Sequence, residues 1–144
     1  NYKDGQRDGL TEWYYENGQL EMRGNYKDGD LDGSYESYYE DGQLKEKKTY
    51  TNGELDGSLQ EYFWNGQLIF KGTYKDGDLD GPYESYYGNG QLKEKGTSIK
   101  GDGSGKMYYE NGEIWYQLET NKDGELESSR CFENGDSIDM SYCD

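Results

Sequence analysis

The stretch YKDGDLDGSYESYY, Tyr26 to Tyr39, returns as YKDGDLDGPYESYY, Tyr74 to Tyr87, with only Ser34 changed, to Pro82. Both copies carry carboxylates at alternate positions before a glycine: Asp28-x-Asp30-x-Asp32-Gly33 and Asp76-x-Asp78-x-Asp80-Gly81. Oxygen ligands at the first, third and fifth places with Gly at the sixth would suit calcium, a hard cation held in a sharply turning loop. The bidentate Glu that closes such a loop is missing. Tyr39 and Tyr87 stand in its place, Glu40 comes one residue late, and Gly88 offers no ligand. Related stretches, Asn52-x-Glu54-x-Asp56-Gly57 and Asp4-x-Gln6-x-Asp8-Gly9, thin the ligand set further. No metal or other cofactor is therefore favoured, and calcium at the six aspartates is the alternative. The competing expectation is structural: Asp28-Gly29 makes a turn and Asp32-Gly33 starts the next strand.

Catalytic chemistry finds little to work with. The chain has no His, no Gly-rich phosphate cradle and no Cys beside an obvious base. Its carboxylates occupy turns and solvated strand positions, whereas an acid–base pair would need a pocket that shifts one pKa, and a thin repeat sheet offers few pockets. A non-enzymatic role is expected. Cys131 and Cys143 form an even pair that invites a disulfide. A hairpin turning at Asn134-Gly135 pairs Cys131 with Ile138 and leaves Cys143 roughly 16 Å further along. A bridge therefore requires the last residues to fold back as a cap.

The elements that carry these residues follow from periodicity. Asp8-Gly9, Asp32-Gly33, Asp56-Gly57 and Asp80-Gly81 recur every 24 residues, so the 48-residue echo is two repeat lengths. Asn17-Gly18, Asp41-Gly42, Asn65-Gly66 and Asn89-Gly90 keep the same step, continuing with a slightly shorter one at Asn111-Gly112 and Asn134-Gly135. A third series runs Asp4-Gly5, Asp28-Gly29, Asn52-Gly53, Asp76-Gly77 and Asp123-Gly124. Asn-Gly and Asp-Gly are hairpin signals, since both central residues of the favoured two-residue turn need positive φ. Between turns, Leu20, Met22, Gly24 and Tyr26 alternate with polar residues, which is strand periodicity. Trp13 and Tyr15 are expected on that face, and Tyr14, Tyr38, Tyr62, Tyr86 and Tyr108 on the opposite one.

The fold class is all-β: elongated tandem hairpins forming a continuous antiparallel meander, each hairpin needing its neighbours to bury Tyr and Leu rows. Residues 1–112 read as regular repeats and 113–144 as a divergent C-terminal cap of the same domain, because terminal repeats of arrays are atypical. If its face is covered, Leu68→Ala is expected to cost roughly 2–3 kcal/mol. Composition agrees with an array rather than a conventional core. Hydrophobic residues are 30% of the chain, 17 residues are Tyr, and Val and Ala are absent.

Acidic residues outnumber basic ones 31 to 15, giving a net charge of −16. Such a surface repels nucleic-acid phosphates and anionic lipids and suits a basic protein. No apolar run approaches the ~18 residues of a membrane-spanning helix. The chain opens mid-repeat at Asn1-Tyr2-Lys3-Asp4-Gly5, as a trimmed fragment would, so a missing targeting signal carries no weight.

The stretch DGLTEWYYENGQLEMRGNYKDG, Asp8 to Gly29, resembles the bacterial MORN-variant repeat, in which YYxNGxL, xxG and a Gly-bearing turn recur. The resemblance is good through residue 97 and weaker after it. It implies tandem hairpins with a binding or scaffolding role. Many members carry an antitoxin-component label, others look like exported or surface proteins, and none supplies catalytic residues. The expected function is docking of a basic protein partner by an acidic, Tyr-rich sheet, with Tyr14, Tyr38, Tyr62, Tyr86, Tyr108, Asp30 and Asp78 as binding residues. If the antitoxin label applies, the partner is a toxin. The alternative is an exported bacterial surface protein adhering to host proteins or glycans through its Tyr rows, and an exported or surface location is favoured over the cytoplasm.

Overall fold

The computed structural model describes residues 2–100, 102–121, 125–133 and 136–138. Among them there is no helix, and so none long and apolar enough to cross a membrane. Strands β1 (Tyr2–Lys3) and β2 (Gln6–Arg7) form a small hairpin. The main sheet begins with β3 (Gly9–Tyr14), β4 (Leu20–Lys27), β5 (Asp30–Tyr38), β6 (Leu44–Thr51), β7 (Glu54–Tyr62) and β8 (Leu68–Lys75). It continues with β9 (Asp78–Tyr86), β10 (Leu92–Ile99), β11 (Asp102–Tyr108), β12 (Ile114–Thr120), β13 (Leu126–Glu133) and β14 (Asp136–Ile138). Each strand pairs antiparallel with its neighbour in sequence, so the twelve described strands make an open meander from β3 to β14. This is the expected architecture.

Two turn types alternate along it. Asp4, Asp28, Asn52 and Asp76 have φ of 49–50° and each precedes a glycine with positive φ. They form two-residue turns closed by pairs such as Lys27↔Asp30 and Lys75↔Asp78, as expected. The Asn17-Gly18 series departs from that expectation. Gly18 has φ +85°, but Asn17 does not have positive φ. The Tyr15 carbonyl accepts the Gly18 N–H at 2.9 Å and the Tyr15 N–H donates to the Gln19 carbonyl at 2.8 Å, enclosing a three-residue loop. Asn17 Oδ1 accepts the Gln19 N–H at 2.8 Å, and Asp41, Asn65, Asn89 and Asn111 repeat this contact. The side-chain acceptor, not a tolerance of positive φ, explains Asn or Asp there. Beside each loop the register slips, as from Trp13↔Met22 to Tyr14↔Leu20.

Asp32-Gly33, Asp56-Gly57 and Asp80-Gly81 produce a larger irregularity. Tyr26 pairs with Leu31 and Gly24 with Tyr35, so three residues of β5 stand against the single Asn25. The same happens around Thr49 and Thr73. Bulges bend a strand, and here they bring Leu31 over Gly24 and Leu79 over Gly72, within 2.9 Å of where a Cβ would stand, so that the two-residue hairpin ends form wings over one face of the sheet. Gly57, at φ +124°, lies where a Cβ would come 3.0 Å from Thr49 Cβ. Gly72 lies under the wing: a Cβ there would meet Leu79 and Phe70 at 2.9 Å. Successive wings are joined by backbone bonds, Gly53 N–H to the Leu31 carbonyl at 2.8 Å and Gly77 N–H to the Leu55 carbonyl at 2.9 Å.

The core under the wings is thin. Leu59 and Cys131, 6% and 3% exposed, are the buried hydrophobic residues among those described. Leu68 is half-buried, so the largest aliphatic truncation cost moves to Leu59. Aromatic edges supply much of the remaining contact, as at Tyr35–Tyr50, with centroids 6.1 Å apart and planes at 78°. Repeats are stitched by the second tyrosine of each Tyr-Tyr pair. The hydroxyls of Tyr15, Tyr39 and Tyr87 donate to the carbonyls of Tyr38, Tyr62 and Tyr108 at 2.7–2.8 Å. Cys131 stands opposite Ile138 as expected. Asn134-Gly135, Asp123-Gly124 and Cys143 lie outside the described residues.

Candidate functional site

Cross-strand register sorts the side chains of the main sheet into two faces. One carries a charged ladder that crosses strand after strand: Glu12, Arg23, Glu36, Lys47, Gln60, Lys71, Glu84, Lys95, Lys106, Gln117 and Arg130, each opposite the next. Glu36 lies between Arg23 and Lys47, at 2.5 and 3.1 Å, and Glu84 between Lys71 and Lys95, at 2.7 and 3.5 Å. Burial alone would raise the pKa of Glu36. The Tyr38 hydroxyl, Arg23 and Lys47 outweigh it and hold the carboxyl at about 2. Glu84 is likewise lowered to about 2, chiefly by hydrogen bonds from Lys71 and Tyr86. The echo of the two fourteen-residue stretches therefore places two equivalent ladder acids, two repeats apart.

The first tyrosines of the Tyr-Tyr pairs share this face. Tyr14 and Tyr38 donate to Glu12 and Glu36 at 2.8 Å, Tyr62 donates to Gln60 at 3.1 Å, and Tyr86 donates to Glu84. Tyr108 lines an open depression of about 510 Å³ with Lys95, Thr97, Ser104, Lys106 and Gln117. The predicted tyrosine row thus lies opposite Trp13 and Met22, as expected. Its surroundings are a mixed-charge ladder in which Arg and Lys outnumber Glu.

Acid and aromatic residues coincide on the other face. One of its rows reads Trp13, Met22, Ser37, Glu46, Glu61, Phe70, Ser85, Glu94, Met107 and Tyr116. Beside it lie Tyr35, Lys48, Leu59 and Tyr83, and beyond them the wing residues Tyr50 and Tyr74. Lys48 contacts Glu46 at 2.5 Å. Burial opposes both charges, but their contact prevails, raising the lysine pKa and lowering that of the glutamate. Glu61 faces Glu46 directly across the strands. Burial raises the phenols of Tyr35 and Tyr74, and the nearby Glu46 and Glu61 raise them further. Burial also raises Tyr83, which donates to Glu94 at 2.9 Å. All three phenols therefore stay neutral beside the carboxylates. Apart from the wings, the described strands pack extensively only on their neighbours in the sheet, so no further layer covers this face.

The third acidic feature is the wing edge. Asp28 and Asp76 sit in the two-residue turns, Asp30 and Asp78 close them, and Asp32 and Asp80 fall in the bulges. Wing stacking aligns these acids along one long side. Among the described residues, no three His, Cys, Asp or Glu side chains converge to hold a metal.

Sequence reasoning missed the ladder, the stitching tyrosines and the Glu46–Glu61 pair. The ladder was written in the 24-residue spacing of Glu12, Glu36, Gln60 and Glu84 and of Arg23, Lys47, Lys71 and Lys95. A comparison with protein families matches the MORN repeat variant at residues 7–28, 31–52, 55–76, 79–100 and 101–122. Comparison with curated proteins gives no match. The five matched stretches follow one another over most of the chain and share its hairpin period, and the chain belongs to the MORN repeat variant family.

Proposed function

We propose that this protein is a non-enzymatic interaction scaffold whose wing-side face docks a basic protein partner. Repeats of this family form a binding module, not an enzyme family. The observation that carries the reading is the half-buried aromatic face itself, overlain only by the wings: Glu46, Glu61 and Glu94 alternate there with Phe70, Tyr35, Tyr74 and Tyr83, and the described cations on it are Lys48 and, at its N-terminal end, Arg7. Aromatic rings give the buried area of an interface and the acids give its charge preference. The acidic wing edge adds long-range attraction and fast encounter. An antitoxin-like role, masking the basic surface of a toxin, is the finer form of the same proposal.

The test is capture on the immobilised chain at low salt, followed by a salt step. A basic protein that is retained and then released as ionic strength rises supports the reading. Capture indifferent to salt, or an acidic protein in the eluate, contradicts it.

A second reading rests on the opposite face. The depression at Lys95, Thr97, Ser104, Tyr108 and Gln117 is polar and hydroxyl-rich beside the tyrosine row, which suits a glycan on a surface-exposed adhesin. Salt-tolerant glycan binding, lost on Tyr108→Ala, would favour it.

A further inference from the structure

The third repeat departs from its neighbours in one hairpin. Where the second and fourth repeats carry Ser37 and Ser85, it has Glu61. Where they carry Tyr39 and Tyr87 it has Phe63, and Trp64 stands in place of Glu40 and Gly88. Across the turn, Ile69 and Phe70 replace Lys45-Glu46 and Lys93-Glu94. Terminal repeats change because they cap an end, but this is an interior one. One of its departures costs stability. Glu61 stands opposite Glu46, and like charges directly across an antiparallel pair are destabilising. Lys48 pairs with Glu46 and feels Glu61 only at longer range, and among the described residues no hydrogen bond or ion pair holds the half-buried Glu61 carboxylate. Trp64 is 71% exposed.

Three of these residues, Glu61, Ile69 and Phe70, line one depression of about 320 Å³. Glu61 lines it with Leu59, Ile69, Phe70, Tyr74 and Ser85. The Ser85 hydroxyl oxygen is wholly buried and has no hydrogen-bond partner. Lys93 reaches the rim, but its ammonium lies over the Tyr87 ring, 5.9 Å from the centroid. A half-buried carboxylate with no ion pair of its own, an orphan hydroxyl and aromatic walls are together unfavourable when the depression holds only water.

We propose that the β7–β8 hairpin is the partner-reading element and that its depression takes an arginine side chain from the basic partner. The guanidinium pairs with Glu61 and lies on Phe70 and Tyr74, as a planar, weakly hydrated cation does on aromatic faces. Trp64, at the loop, packs against the apolar residues beside that arginine. This deepens the proposed function and rests on it.

The probe is blocked arginine, N-acetyl-arginine-N-methylamide, with the neutral citrulline analogue as control, followed by amide and side-chain NMR shifts of the full chain. Arginine is expected to move resonances of residues 59–74 and Ser85, citrulline to leave them, and Glu61→Gln to weaken binding about tenfold. Glu61→Gln is also expected to raise the Tm of the free protein by about 2 °C, because it removes a like-charge pair. Shifts confined to the acidic wing turns, equal shifts with citrulline, or a lowered Tm with unchanged arginine binding overturn the proposal. Repeating the salt-step capture with Glu61→Gln separates the two claims. A basic partner retained equally by wild type and variant keeps the scaffold reading and removes this site, whereas no partner with either removes the scaffold reading.

Discussion

Replacing Glu36 by Gln probes the ladder at its best-ordered point. Glu36 is 8% exposed and accepts from Arg23, Lys47 and Tyr38. A carboxyl held at about 2 instead of the ordinary 4.5 is favoured in its charged form by roughly 3 kcal/mol. Arg23 and Lys47 are 46% and 48% exposed, so solvent screening removes about half, leaving about 1.5 kcal/mol. Because the folded pKa lies below the unfolded one, this contribution is complete above pH 4.5 and is lost as pH falls toward 2. Urea denaturation of wild type and Glu36→Gln, followed by tryptophan and tyrosine fluorescence, should show the full gap at pH 7. The gap should narrow steadily between pH 4.5 and 2. A gap that stays constant with pH would mean that Glu36 acts by packing and not by charge. No gap at pH 7 would mean that the ladder is surface decoration.

Three further outcomes follow from the same geometry. Gln60 occupies the ladder position of Glu36 between Lys47 and Lys71, so Gln60→Glu completes the alternation and should stabilise the protein by about 0.5–1 kcal/mol at neutral pH, read in the same urea titration. Tyr39→Phe removes the 2.7 Å bond to the Tyr62 carbonyl and should cost about 1 kcal/mol. Its effect on hydrogen exchange should be largest in β5–β8. Leu59→Ala should cost roughly 2–3 kcal/mol, since Leu59 is the best-buried aliphatic side chain among the described residues, and a loss below about 0.5 kcal/mol would show that the wings do not cover it.

The repeat, the meander and the two-residue turns were legible because each depends on residue types that few other structures require. Asp-Gly at positive φ and strict apolar alternation leave little choice of element. The Asn17 loop was misread because an Asn-Gly pair serves two turn types. Only the acceptor contact from Asn17 Oδ1 to the Gln19 N–H separates them. Face assignments held for Trp13, Met22 and the Tyr14 series. What strand alternation could not supply was the neighbour across each pair, because bulges at Tyr14 and at Asp32-Gly33 shift the register. Glu36 meeting both Arg23 and Lys47, and Glu61 meeting Glu46, appear only once those slips are placed.

Hydroxyl-radical footprinting of the chain with its salt-released basic partner tests the docking face most directly. Docking on the wing-side face predicts that Tyr35, Phe70 and Tyr74 lose reactivity in the complex while Tyr14, Tyr38 and Tyr86 keep theirs. Protection of the Tyr14 series with Phe70 and Tyr74 unchanged would place the partner on the ladder face and contradict the account.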